Sequence, residues 1–233
     1  MLRDIKVHFD GEILSAIEYK NDRSATAHVI LQGAGNATKE RYSALAQDLQ
    51  ARGSRVLLFD FSGHGQSSGS ICDLTLKRRH DQALGVIEAV LPDRPKLSIV
   101  GFSMSGQTVA DLTVSLASDI NSIGLCSPAI YAKSAWNVPF TNEFSEIIRR
   151  DGSWTDSSAL DAFGKYTGHA VLAVPDKDSV VPPSVTKVVR EALSAESVLT
   201  DLVFPGADHR LGRWFERNAA DRRTLVEALT GKT

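Results

Sequence analysis

The chain has 233 residues, 42% of them hydrophobic, with 26 lysines and arginines against 28 aspartates and glutamates. A formal charge of −2 provides no basic field to attract nucleic acid, and no apolar run approaches the ~20 residues of a membrane span. Cys72 and Cys126 stand apart, without the spacing of a metal or redox pair.

The first residues alternate polar and apolar, which reads as a strand rather than a signal peptide, so a cytoplasmic protein is expected. Strands near Ile5 to Phe9 and Glu12 to Tyr19, joined at Asp10-Gly11, predict an antiparallel ribbon. Strand His28 to Leu31 then runs into a glycine-rich turn, Gln32-Gly-Ala-Gly35. A helix follows, with Tyr42, Leu45, Ala46 and Leu49 on one face and Gly53 as its stop. Strand Val56 to Phe59 leads through Phe59-Asp-Phe-Ser-Gly-His-Gly-Gln-Ser-Ser-Gly69 to a helix carrying Leu76, Leu84, Ile87 and Leu91. Within that loop and helix, His64 reads as a water-exposed turn residue and His80 as a satisfied core side chain.

The apolar run Leu97 to Val100 drives straight into Gly101-Phe-Ser-Met-Ser-Gly106, and a helical stripe of Val109, Leu112 and Leu116 follows. A serine at such a strand-to-helix corner is lifted above the sheet edge, facing backbone amides and a helix N-terminus. Here Ser105 takes the place of the usual second glycine, and Gly106 follows one position late. After strand Ile123 to Cys126 the rhythm breaks. Residues 127–168 form a long excursion rich in aromatic residues, expected to be a cap or lid whose Trp136, Phe140 and Phe144 contact the substrate.

Strand Ala170 to Val174 ends in Pro175-Asp-Lys-Asp-Ser-Val-Val-Pro182, and a helix striped by Val185, Val188, Val189 and Ala192 follows. Strand Val198 to Phe204 precedes a glycine-containing loop with His209, then one helix from Leu211 to Leu229. The alternation predicts an α/β fold: a mostly parallel sheet covered on both faces, in one domain spanning residues 1–233. Loops at the C-terminal ends of parallel strands share one rim, where distant residues converge. Ser103, an acid and His209 then follow in the order that a hydrolase on such a sheet requires. Asp178 is the preferred acid and Asp176 its rival, while Asp208 adjoins His209 too closely along the backbone for a good carboxylate–imidazole bond. The amides of Ala34 and Met104 are the expected oxyanion donors.

These residues resemble the α/β-hydrolase superfamily, with the resemblance covering nearly the whole chain. Asp60-x-x-Gly-x-Gly-x-Ser-x-Gly69 and Asp178-x-x-Val-Pro182 are similar to loops of compact-cap serine hydrolases, a group that includes monoacylglycerol lipases, cinnamoyl esterases and serine aminopeptidase-like enzymes. The resemblance implies a Ser103, Asp178, His209 triad acting on an acyl bond of a small, partly apolar substrate, without a cofactor or metal. The chain departs from those relatives at Gln32, where histidine is usual, at Pro175 and at Ser105. A carboxylic esterase is expected, a biosynthetic thioesterase is the alternative, and a ligand-binding protein on the same fold is the third reading. Nothing in the sequence fixes an oligomeric state.

Overall fold

The computed structural model describes residues 2–21, 24–35, 37–193 and 195–231. Strands β1 (Leu2–Phe9) and β2 (Glu12–Tyr19) pair antiparallel. Both turn residues between them have positive φ, Asp10 at 47° and Gly11 at 77°, as a tight hairpin turn demands. The remaining strands are β3 (Thr26–Leu31), β4 (Arg55–Phe59), β5 (Lys96–Phe102), β6 (Ile120–Cys126), β7 (His169–Lys177) and β8 (Val198–Asp208). They form one eight-stranded sheet in the order β1-β2-β4-β3-β5-β6-β7-β8. β2 meets β4 antiparallel, and every pairing from β4 through β8 is parallel.

Period-two alternation divides the apolar residues of the sheet between two cores. On β5, Leu97 and Ile99 face one side and Val100 and Phe102 the other. The first side is covered by α2 (Leu76–Val90), α3 (Ser105–Leu116), α5 (Ser158–Gly164) and α6 (Pro183–Leu193). The second is covered by α1 (Ser43–Ala51), α7 (Leu211–Arg217) and α8 (Ala219–Thr230). This is the α/β-hydrolase architecture. Helix α4 (Asn142–Ile148) lies, with α5, in the long segment between β6 and β7.

The structure corrects two sequence-based expectations. The helix expected from Leu211 to Leu229 is two helices, because Asn218 leaves helical geometry at φ −113° and ψ 86°. Its backbone amide and Nδ2 both donate to the Trp214 carbonyl while Arg222 donates to that of Phe215, so the carbonyls at the break have partners. His64 is buried, not exposed: its Nδ1 lies 3.0 Å from the Ser62 carbonyl, and burial lowers its pKa. His80 is satisfied as expected, at the edge of the core, with Nε2 2.7 Å from Ser115 Oγ and Nδ1 3.0 Å from Asp81.

The loop after β4 is held by a buried ion pair. Asp60 accepts from the backbone and side-chain nitrogens of Lys39, both at 2.7 Å, and from the Gln66 amide at 3.3 Å. A Cβ at Gly65 would stand 2.2 Å from the Asp60 carboxylate, which explains the glycine. The Asp60 loop thus clamps the segment that follows the glycine-rich turn after β3, connecting this sequence motif to the rim of the sheet.

Candidate active site

Ser103 sits at the corner between β5 and α3 with φ +50°, a left-handed conformation that costs a non-glycine residue about 1–3 kcal/mol. The surroundings impose it. The Ser103 amide donates to the Cys126 carbonyl at 2.9 Å, and its own carbonyl accepts from the amides of Gly106 and Ala129. A Cβ at Gly101 would approach the Ser105 carbonyl oxygen to 2.6 Å, and one at Gly106 would approach the Ala129 carbonyl oxygen to 2.8 Å. Both small residues are therefore required by close approach of backbone. Gly106 does its work where the chain after β6 crosses the elbow.

Ser103 Oγ lies 2.8 Å from His209 Nε2, and His209 Nδ1 lies 2.9 Å from Asp178 Oδ2. Of the three acids near His209 in sequence or space, Asp178 is the one bonded to its ring. Asp176 accepts instead from the Gly206 amide at 3.3 Å, and Asp208 from the Arg210 amide at 2.9 Å. Asp178 is also fixed by the amides of Val180 and Val181, each 2.9 Å from Oδ1. Burial pushes its pKa up, but the bonds from His209 and the two amides outweigh burial and hold the carboxyl below the ordinary carboxylate range.

The glycine-rich turn after β3 runs against the elbow: a Cβ at Gly33 would stand 3.3 Å from Ser103 Cβ. Ala34 is exposed on this turn, and Met104 is the residue before the first turn of α3, where amides have no intrahelical acceptor. Sequence reasoning missed what supports the turn from beneath. Ser105, fully buried, donates to the Gln32 carbonyl at 2.6 Å and accepts from Arg79 Nη2 at 2.7 Å. Arg79 Nη2 also donates to the Gln32 carbonyl at 2.7 Å, and its guanidinium lies 3.8 Å from the centre of the Phe61 ring. Burial lowers the Arg79 pKa to about 10, leaving it charged at neutral pH. The hydroxyl in place of the second elbow glycine thus ties the elbow to the turn. Its signal in the sequence is the pairing of an unusual Ser105 with an arginine on the apolar face of α2.

Two clefts meet at Ser103. One, of about 400 Å³, is walled by Ala129, Ile130, Tyr131, Trp154, Val181 and Val185. The other, of about 360 Å³, is bordered by Gly33, Ala34, Tyr42, His209 and residues of α7. The three aromatics expected on the substrate line neither cleft. Phe140 and Phe144 pack on each other with ring centres 4.5 Å apart, and Phe144 is buried against Tyr131 as well. Trp136 borders a separate cavity of about 270 Å³, with Leu76, Gln107, Asp111, Tyr131 and Lys133. A short, aromatic-rich segment must first build its own core, and these rings are used for that.

Asp111, in this separate cavity, has one oxygen without a partner among the described residues, and burial raises its pKa to about 7 against the bond from Gln107. A carboxyl whose folded-state pKa is raised binds its proton more tightly folded than unfolded. Stability therefore falls as pH rises from about 4, the unfolded value, to about 7. Asp111→Asn is expected to remove this dependence and gain about 1–3 kcal/mol over the parent at pH 8 relative to pH 4. Urea unfolding of both proteins at the two pH values checks it; parallel pH dependence would contradict it.

Among the described residues no three histidine, cysteine or carboxylate side chains group as a metal site, and no helix is long and apolar enough to cross a membrane.

The family model described as serine aminopeptidase, S33 (Hydrolase_4), matches residues 23–155. Protein phosphatase methylesterase 1 from Cryptococcus neoformans var. neoformans serotype D is 31% identical over 113 residues, 44% of this chain and 26% of that protein. The match thus spans about a quarter of the length of the curated relatives. Among solved structures, a predicted CIB-like hydrolase from Thermoplasma acidophilum superposes with a TM-score of 0.75 at 18% identity, covering 99% of both chains. A thioesterase domain from the curacin biosynthetic pathway superposes with a TM-score of 0.72 at 15% identity, covering 97% of this chain and 99% of that one.

Proposed function

The chain belongs to the serine aminopeptidase S33 (Hydrolase_4) family of α/β-hydrolases, and from that premise we propose that it is a serine hydrolase cleaving a carboxylic ester of a small, partly apolar substrate. The observation that carries the proposal is the relay from Ser103 Oγ to His209 Nε2 at 2.8 Å and from His209 Nδ1 to Asp178 at 2.9 Å. His209 takes the proton as Ser103 attacks the acyl carbon, and Asp178 holds the imidazole in the required tautomer and stabilises its charged form. The amides of Ala34 and Met104 receive the developing oxyanion, each such donor being worth about 3 kcal/mol of barrier. His209 then protonates the departing alcohol, and water, deprotonated by the same ring, releases the acid and restores Ser103.

In this reading residues 127–168 are a cap within a single domain, and Ile130, Tyr131 and Trp154 provide an apolar wall for the acyl part. The same relay would cleave a thioester, and the likeness to a thioesterase domain makes that the second reading.

A panel of aryl esters of graded chain length, run beside the matching acyl thioesters, tests the choice. The expected result is turnover of short and medium esters with kcat/KM above that of the thioesters. Activity confined to thioesters would favour the second reading, and no turnover of either class would contradict acyl transfer.

A further inference from the structure

We propose that the cleft on the α7 side of Ser103 is a subsite for an anionic leaving group, a carboxylate or phosphate borne by the alcohol or thiol half of the substrate, held by Arg41, Arg210 and Arg213. The inference rests on the acyl-transfer reading above and specifies its substrate class.

The position of the cleft identifies which half of the substrate it receives. Ser103 borders both clefts, but His209 borders only this one. His209 must deliver its proton to the departing oxygen or sulfur, so the leaving group lies on the His209 side. The acyl part then falls to the other cleft, among Ile130, Trp154, Val181 and Val185.

The lining of the cleft identifies its chemistry. It contains three arginines and no aspartate or glutamate. Six other arginines, Arg3, Arg52, Arg55, Arg78, Arg190 and Arg222, each pair with a carboxylate, while Arg79 is taken up by the Gln32 carbonyl and Ser105; what marks this cleft is that its three arginines converge on one concavity. Among the described residues, Arg41, Arg210 and Arg213 have no carboxylate partner, in a chain whose acids outnumber its lysines and arginines by 28 to 26. Asp208, the nearest acid in sequence, accepts from the Arg210 amide. The second cleft also has arginines, Arg149 and Arg150, but it places Asp151 beside them.

Arg210 precedes α7 and Arg213 lies one turn along, while Arg41 approaches from the segment before α1. Three unpaired guanidiniums around one concavity focus a positive potential there, and each presents a planar fork that fits carboxylate or phosphate oxygens. Arg210 and Arg213 are exposed and Arg41 half-buried, so water solvates them until an anion displaces it. A neutral alcohol would gain nothing from them.

The test uses Ser103→Ala protein, whose expected loss of turnover leaves time to read binding, and three butyrate esters with phenolic leaving groups: 4-hydroxyphenyl, 4-carboxyphenyl and 4-(phosphonooxy)phenyl. Calorimetry at low salt is expected to show the anionic esters binding about tenfold or more tightly than the neutral one, an advantage that shrinks with added salt. Adding Arg210→Gln and Arg213→Gln should collapse that ratio, with thermal unfolding serving to confirm the fold. A gain for only one anionic ester would assign the subsite to carboxylate or to phosphate. Equal affinities for all three, or a preference that survives the double substitution, would overturn the proposal. Turnover by the parent enzyme is read separately. Hydrolysis without anionic preference would defeat the subsite alone, whereas anion-selective binding without hydrolysis of any ester would defeat the catalytic reading alone.

Discussion

Ser103→Ala is expected to lower kcat by a factor of about 10³ to 10⁶ while the fold survives, because a nucleophile and its base act as a unit. Alanine keeps the Cβ, so it occupies the same left-handed backbone, φ +50°, that the bonds to Cys126, Gly106 and Ala129 already impose on serine. What disappears is the oxygen 2.8 Å from His209 Nε2. The remaining cleft still binds and still presents its amides, which sets the floor of residual rate. Kinetics on the preferred aryl ester, with circular dichroism to confirm the fold, give the answer. Near-normal hydrolysis by the variant would remove Ser103 from the mechanism.

Asp178→Asn is expected to reduce kcat by a factor of about 10² to 10⁴, chiefly by losing control of the imidazole tautomer. In the native protein the carboxylate receives His209 Nδ1 on one oxygen and two amides on the other. Burial works against the charge, but these donors win and keep the group ionised. A depressed carboxylate of this kind stabilises the fold above its unfolded pKa, and that contribution is lost as pH falls through the lower folded value. An asparagine carboxamide can turn its NH₂ toward Nδ1, which would place the ring proton on Nε2, where it cannot accept from Ser103. Asp176→Asn is the control. Asp176 bonds the Gly206 amide, not the ring, and its substitution should change kcat less than threefold, on the order of an exposed polar change. If Asp176→Asn is the damaging change and Asp178→Asn the mild one, the acid has been misassigned.

The sheet was legible because its strands carry local signals strong enough to survive tertiary context. Period-two alternation marks Ile5 to Phe9, and short apolar runs mark Val56 to Phe59 and, interrupted only by Ser98, Leu97 to Val100, which the structure extends only at their ends. The helical stripes of α3 and α6 were equally plain. The break at Asn218 was not, because it depends on carbonyls of Trp214 and Phe215 finding side-chain donors, an arrangement invisible to periodicity.

At the candidate site, legibility followed chain order. Ser103, Asp178 and His209 stand at the ends of strands whose parallel pairing could be anticipated, so their common rim could be anticipated too. The support beneath them could not. Arg79, Ser105 and Gln32 come from three separate segments, and only packing shows that one guanidinium tethers both the elbow and the turn. His64 misled for a related reason: flanking glycines suggested an open turn, but Gly63 and Gly65 serve close approaches to Ile71 and Asp60, and the turn is buried. The aromatics of residues 127–168 misled because ring content alone does not distinguish a wall from a core.

The most direct measurement is to treat the protein with a fluorophosphonate at neutral pH and locate the adduct by peptide mass spectrometry, with His209→Ala protein alongside. The account predicts stoichiometric modification at Ser103 and loss of that modification in the histidine variant. A protein that remains unlabelled, is labelled at another residue, or reacts equally well without His209 would contradict an activated serine at this elbow.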